Sequence, residues 1–249
     1  MKILFKDNIA LIEFDTGHRH NPFSGAKMDE LKQDIINLLQ KDDIKTIILY
    51  GGKGNSFSVG GNFNEVSNFS GGEEVEKWID SLNSLYKAIL SFPKPVIAAI
   101  DNYAIGFGMQ LALVCDYRIG ANSCELKMPE FAMGIACNFG GYLIEKTSSR
   151  NVMQEMLFGC EGINGDKAKD FGLLHATTSS ENLLDFALET ASKFAKYHPT
   201  PVRETKLSLN NKVIEELDQI AIQAKIAHKT SFASRTAQDN MISIIKKKV

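Results

Sequence analysis

The run Val96 to Ile100 (VIAAI) carries no polar side chain, and after five more residues the chain reads Gly106-Phe107-Gly108. Five apolar residues are too few for an ordinary helix and fit a buried strand. Thr46 to Tyr50 repeats the arrangement, with a glycine-rich segment from Gly51 to Gly61 behind it. A strand, a glycine turn and a helix in succession leave backbone N–H groups at the turn without partners of their own. The helix dipole adds partial positive charge there, so such turns can bind anions or oxyanions. Two of them at the ends of neighbouring strands could aim two N–H groups at one oxygen.

The rest of the chain builds a frame around these two units. Ile3 to Phe5 and Ile9 to Phe14 flank the turn Lys6-Asp7-Asn8 and predict a hairpin. Ser24 is placed to cap a helix with apolar residues at Met28, Leu31, Ile35 and Leu38. Val75, Trp78, Ile79, Leu82, Tyr86 and Ile89 mark a strongly amphipathic helix that ends before Pro93-Lys94-Pro95. Phe107 to Val114 reads as a helix and Tyr117 to Ile119 as a strand. From Asn138 onward the pattern is mostly helical, with one helix marked by Leu184 to Phe194 and another by Leu217, Ala221, Ala224 and His228. The expectation is an α/β core of repeated strand-strand-helix units with a helical C-terminal segment, divided as 1–195 and 196–249.

The bulk properties narrow the function. The formal net charge of -2, with signs well mixed, gives no basic stripe for nucleic acid. Lys246-Lys247-Lys248 reads as a solvated end. No apolar stretch approaches the roughly 20 residues of a membrane span, and no signal peptide is evident. Cys115, Cys124, Cys137 and Cys160 form no C-x-x-C pair. They are expected to be reduced thiols in a cytoplasmic protein, without a zinc site. His18-Arg19-His20 offers no third metal ligand, so no metal is expected.

Three segments carry chemistry: Ser56 to Val66 (SFSVGGNFNEV), Gly106 to Gln110 (GFGMQ) and Met128 to Glu130 (MPE). Glu130 is either a charge at a helix N-terminus or a carboxylate able to move a proton. The phosphate-loop, dinucleotide and nucleophile-elbow patterns are all missing from the sequence.

Taken together, the segments His20 to Ser24 (HNPFS), Ser56 to Phe63, Lys94 to Gly108, Cys115 to Ile119 and Met128 to Ile135 resemble the crotonase (enoyl-CoA hydratase/isomerase) superfamily over nearly the whole chain. The resemblance implies the ClpP/crotonase-like fold of repeated ββα units, two roughly perpendicular sheets, and a C-terminal helical trimerisation segment. It implies a homotrimer or dimer of trimers. The implied substrate is an acyl-CoA thioester, with coenzyme A part of the substrate and no cofactor tightly bound. The N–H groups of Gly61 and Phe107 would form the oxyanion hole. His18, Arg19, Asn21, Val59 and Gly60 fall in segments implied to line the coenzyme A site.

Hydratases of this superfamily use two glutamates. Glu130 matches one, and Gln110 stands where the other is expected. An amide has no useful basicity, so two-carboxylate hydration is impaired. The segments HNPFS, GGNFNEV, EKWID, YAIGFGMQ and GIAC further resemble the carboxymethylproline synthase branch of carbapenem biosynthesis. That branch implies decarboxylation of malonyl-CoA to an enolate, which attacks the imine pyrroline-5-carboxylate. Asn62 replaces an aspartate common in that branch, and Phe107 a methionine. In this reading Gln110 hydrogen-bonds a carboxylate or water, Trp78 forms an apolar wall, and His228 binds a substrate carboxylate or partners Glu130. Core packing is the competing role for Trp78 and His228, and a satisfied helix amide for Gln110. Two alternatives stand beside the synthase: an enoyl-CoA isomerase or hydratase, and a non-catalytic acyl-CoA-binding homologue. The segment Cys137 to Gly141 is expected to cap a helix and shape the pocket. No base is evident to activate Cys137.

Overall fold

A computed structural model describes residues 1–246. Lys247 and Lys248 of the basic tail lie outside the described residues, and Lys246 is exposed. The strands are β1 (Lys2–Lys6), β2 (Ile9–Glu13), β3 (Thr46–Tyr50), β4 (Val96–Ile100), β5 (Tyr103–Ile105), β6 (Tyr117–Ala121), β7 (Glu125–Lys127), β8 (Ile163–Asn164) and β9 (Ala176–Thr178). The helices are α1 (Gly25–Leu38), α2 (Phe63–Val66), α3 (Glu73–Leu90), α4 (Phe107–Leu113), α5 (Glu130–Met133), α6 (Asn138–Thr147), α7 (Arg150–Gly159), α8 (Gly165–Asp170), α9 (Leu183–Phe194), α10 (Pro199–Ala233) and α11 (Thr236–Lys246).

Six strands form the main sheet in the order β1-β2-β3-β4-β6-β9. The β1–β2 hairpin is antiparallel and the remaining pairs are parallel. Every residue of β3 and β4 is buried, which is why their sequences lack alternation. Ile47, Leu49, Val96, Ala98 and Ile100 join the core cluster that holds the buried residues of α1 and α3. Ile48, Tyr50, Ile97 and Ala99 pack on the other face against Leu183, Ala187 and Ala191 of α9. A smaller sheet, β5-β7-β8, is supplied by the second strand of successive units: β4 leads to β5 and then α4, β6 to β7 and then α5. This is the repeated ββα arrangement with a helical C-terminal segment.

Two of these strands run against the sequence expectation. β8 and β9 lie within the stretch read as mostly helical, and β9 closes one edge of the main sheet. Runs of two and three residues are too short to show a period. Elsewhere local signals hold. Ser24 caps α1 by accepting from the Lys27 N–H at 3.2 Å. α10 starts at Pro199, behind a His198 cap, and its buried face (Leu217, Ala221, Ala224, His228) packs on α3 and α6. Among the described residues no helix is long and apolar enough to cross a membrane.

Candidate active site

The small sheet brings the two glycine turns together. Ser58 bridges to Ala104 of β5, and Gly61 bridges to Phe23. Gly108 lies so close to the first turn that a Cβ there would come within 2.2 Å of the Ser58 carbonyl oxygen. A Cβ on Gly60 would lie 3.6 Å from the Phe107 nitrogen. Gly60 and Gly106 both adopt positive φ, 97° and 56°, which glycine accepts without strain. Gly61 and Phe107 line one cleft, and among the described residues neither N–H has a hydrogen-bond partner. The Phe107 ring does not fill the turn. It packs on Phe23 and stacks on Tyr86, with centroids 5.2 and 6.3 Å apart.

Glu130 enters from the first turn of α5 and, among the described residues, is the one carboxylate lining the cleft. Its Oε2 is buried without a partner. Burial pushes its carboxyl up to about 7, against the pull of its own backbone N–H, the Gln110 amide and the Cys137 thiol. Gly106 beside it holds φ 56°, which strains any other residue, and a Cβ there would lie 2.9 Å from Oε1 and push the carboxylate aside. Gln110, buried in α4, donates from Nε2 to Glu130 Oε1 at 3.3 Å. Its Oε1 accepts from the Tyr86 hydroxyl at 2.8 Å. The glutamine therefore borders the carboxylate as a bound amide. Two unpartnered N–H groups can stabilise a developing oxyanion, and a carboxyl near neutrality can take or give a proton.

Trp78 and His228 also line the cleft, their rings 6.4 Å apart. Trp78 packs against the core, so it is both packing residue and wall, and its Nε1 is buried without a partner. His228 is buried, with its Nδ1 bonded to the Ala224 carbonyl at 2.8 Å. Nδ1 is therefore the donor nitrogen of the neutral ring. Burial holds its pKa down at about 4, so the ring meets any ligand uncharged at neutral pH. No hydrogen bond links it to Glu130 among the described residues.

Val59 and Gly60 line the cleft, but His18, Arg19 and Asn21 do not. His18 and Arg19 are exposed. Asn21 is buried, and its Nδ2 donates to the Gly51 and Ser56 carbonyls, each at 2.8 Å. That amide ties down the loop leading to the first turn. Asn62 caps α2 through Oδ1, a role an aspartate would fill equally.

Two cleft groups, Asn138 and Cys137, and one residue buried behind the cleft, Tyr86, carried no chemical assignment in the sequence. Tyr86 continues the stripe of Trp78 and Leu82 along α3, and a tyrosine on a buried stripe must find a partner for its hydroxyl. Asn138 lines the cleft with its Oδ1 buried and unpartnered. Cys137 does stand beside a carboxyl, contrary to the expectation that none was near. Burial and the Glu130 charge raise its thiol well above the usual range, so it remains a donor rather than a nucleophile. All four cysteines are free. Among the described residues no group of three or more His, Cys, Asp or Glu could hold a metal.

The family model described as enoyl-CoA hydratase/isomerase matches residues 5–248. The carboxymethylproline synthase of Pectobacterium carotovorum subsp. carotovorum is 36% identical over 97% of this chain and 97% of that one. A probable enoyl-CoA hydratase of Bacillus subtilis is 28% identical, covering 92% of this chain and 91% of its own. The solved structure of ThnE from S. clavuligerus superposes with a TM-score of 0.81 at 40% identity, covering 92% of this chain and all of that one.

Proposed function

Because the chain belongs to the enoyl-CoA hydratase/isomerase family and has its α/β fold, we propose that it decarboxylates malonyl-CoA and joins the resulting enolate to pyrroline-5-carboxylate, giving carboxymethylproline. The observation that carries this reading is Gln110. Among the described residues the cleft has one carboxylate, Glu130, and the residue bonded to it is an amide. Hydration by two carboxylates has no second base, whereas decarboxylation needs none to begin. Likeness to a carboxymethylproline synthase supports the same choice.

In this reading the malonyl C–C bond breaks and CO₂ leaves. The electron pair stays behind as a thioester enolate, whose oxygen is held by the Gly61 and Phe107 N–H groups. The enolate carbon attacks the imine carbon, and the imine nitrogen takes a proton. A free-acid product then requires one water to cleave the thioester and release coenzyme A. Glu130, with a pKa near neutrality, is the group able to take that water's proton. Trp78 walls the malonyl group, and neutral His228 can hydrogen-bond the second substrate's carboxylate. Val59 and Gly60 flank the thioester, while exposed His18 and Arg19 are left to meet the outer part of coenzyme A. Assembly as a homotrimer or dimer of trimers belongs to the same proposal. Exposed Phe158, Leu209, Ile222 and Ile226 offer apolar surface for it.

A second reading has one observation in its favour. A single carboxyl near neutrality suits an isomerase that moves a proton between two carbons of an enoyl-CoA. The deciding experiment incubates the protein with malonyl-CoA, with and without pyrroline-5-carboxylate, and follows coenzyme A species and adducts by mass spectrometry. Crotonyl-CoA hydration and 3-enoyl-CoA isomerisation run in parallel. The expected result is a carboxymethylproline adduct with negligible hydration. Brisk hydration or isomerisation without adduct sinks the synthase.

A further inference from the structure

Gln110 has two unlike ends, and which one faces Glu130 decides what it does. With NH₂ toward the carboxylate it stabilises the charge; with the carbonyl oxygen there it repels it. Nothing in Gln110 itself chooses. The near side adds only a 3.8 Å contact from Nε2 to the Met128 sulfur, a weak acceptor. The stronger choice is made on the far side, where the fully buried Tyr86 hydroxyl donates to Gln110 Oε1 at 2.8 Å. That is the hydroxyl's one hydrogen bond among the described residues. Turning the amide over would strand the Tyr86 O–H proton and set two oxygens face to face. The first cost falls on a hydroxyl that is fully buried.

We propose that Tyr86 is a positioning residue: its hydroxyl locks the Gln110 amide with NH₂ toward Glu130 and so keeps Glu130 able to ionise. The inference deepens the role given to Glu130 in the proposed reaction, but its test does not use that reaction. Tyr86 is suited to the task because it does not compete as an acid. Its own phenol is driven well above its usual range by burial, the Glu130 charge and Cys137. The same ring stacks on Phe107, at 19° between planes, and meets Phe139 edge-on at 5.5 Å. One residue thus steadies both the helix start that presents the Phe107 N–H and the amide beside the carboxyl.

The groups bearing on Glu130 from the packed elements are few. They are Tyr86 of α3, Gln110 of α4, the Cys137 thiol and the neutral His228 ring of α10. Charged residues on the helices packed against α5, namely Arg150 and Glu155 of α7 and Asp239 and Lys246 of α11, are exposed.

The test is a ¹³C NMR titration of Glu130 in protein labelled at glutamate Cδ, with Glu130→Gln to assign the signal. Tyr86→Phe should raise the Glu130 midpoint by about one pH unit, since it frees the amide to turn. Gln110→Leu should raise it too. The double variant should match Gln110→Leu alone, because Tyr86 acts only through the amide. A wild-type midpoint in Tyr86→Phe overturns the proposal. So does an added shift in the double variant, which would show Tyr86 acting directly. Should Tyr86→Phe not fold, wild-type protein labelled at tyrosine Cζ serves instead. The Tyr86 signal should then move with the Glu130 midpoint, and a flat signal overturns the proposal. Failure here leaves the malonyl-CoA assay untouched, and failure there leaves this titration readable.

Discussion

The two glycine turns that meet at the cleft are built in opposite ways. The first, Ser56 to Gly61, is held by distant backbone. Ser56, Phe57, Ser58 and Val59 donate to the carbonyls of Arg19, Asp101, Tyr103 and His20. Asn21 and the Ser58 hydroxyl close the remaining gaps, the latter also accepting from the Gly60 N–H at 3.1 Å. The second turn, Gly106 to Gln110, is a helix start. One backbone bond from Gly106 to the Lys127 carbonyl anchors it, and side chains do the rest: Phe107 on Phe23 and Tyr86, Gln110 between Tyr86 and Glu130. One turn is fixed by the chain's path, the other by side-chain chemistry. Substitutions should therefore damage stability at the first and function at the second.

Their contact point should give the largest effect. Gly108→Ala drives a Cβ into the Ser58 carbonyl, backbone against backbone, with no flexible side chain to yield. We expect a loss on the order of 3 kcal/mol or more, read by chemical denaturation, or no folded protein. Near-wild-type stability would mean the turns are not in contact.

On the side-chain-built turn, Glu130→Gln should separate activity from stability. Product formation should fall by roughly 10²- to 10⁴-fold, as loss of a general acid–base group usually gives. Stability should move the other way. The folded-state pKa is raised from 4.5 to about 7, so the native state holds this proton more tightly than the unfolded chain. Its stability contribution is intact below about 4.5 and is lost as pH rises toward 7, a loss of about 3 kcal/mol. The glutamine variant lacks that penalty. Its advantage over wild type in urea should grow between pH 4.5 and 7 and then level. An advantage independent of pH would contradict the buried, neutral-range carboxyl.

Asn21→Ala tests the backbone-built turn. It strands two buried carbonyls and places alanine at φ 46°, a conformation asparagine tolerates better. A loss of roughly 2–3 kcal/mol is expected. Asn21→Asp should not restore it, because a carboxylate cannot donate to those carbonyls. Rescue by aspartate would show that the Asn21 NH₂ group is not what holds the loop.

The same contrast governs how far the site could be read from sequence. α1, α3, β3 and β4 announce themselves through period or unbroken apolar runs, and Ser24 through its capping position. The start of α4 was legible because Gly106 and the apolar residues after it are local signals. The partners of the first turn were not, since Arg19, His20, Asp101 and Tyr103 reach it only through the tertiary fold. Asn21 falls in a segment implied to line the coenzyme A site, and only the fold shows that its amide donates to the Gly51 and Ser56 carbonyls. Tyr86 was legible as a core position, but the direction of its hydroxyl depends on where α4 crosses α3. The Cys137–Glu130 contact needs the return of the chain after Gly134, which sets the thiol beside α5. Residues seven apart carry no local signal that they will touch.

The smallest expected effect shows what makes glycine costly to replace in the two turns. Gly159 ends α7, is exposed, lies outside the positive-φ glycines, and has no atom within 4 Å of where a Cβ would sit. Gly159→Ala should stabilise the protein by about 0.5–1 kcal/mol, because alanine restricts the unfolded chain and favours helix. Gly106 and Gly108 differ from it in their surroundings: the Glu130 carboxylate in one case, the Ser58 backbone in the other. If Gly159→Ala proved as damaging as Gly108→Ala, close approach would not be the reason those turns need glycine. Gain at one position and collapse at the other, in the same denaturation series, would assign the cost to that approach.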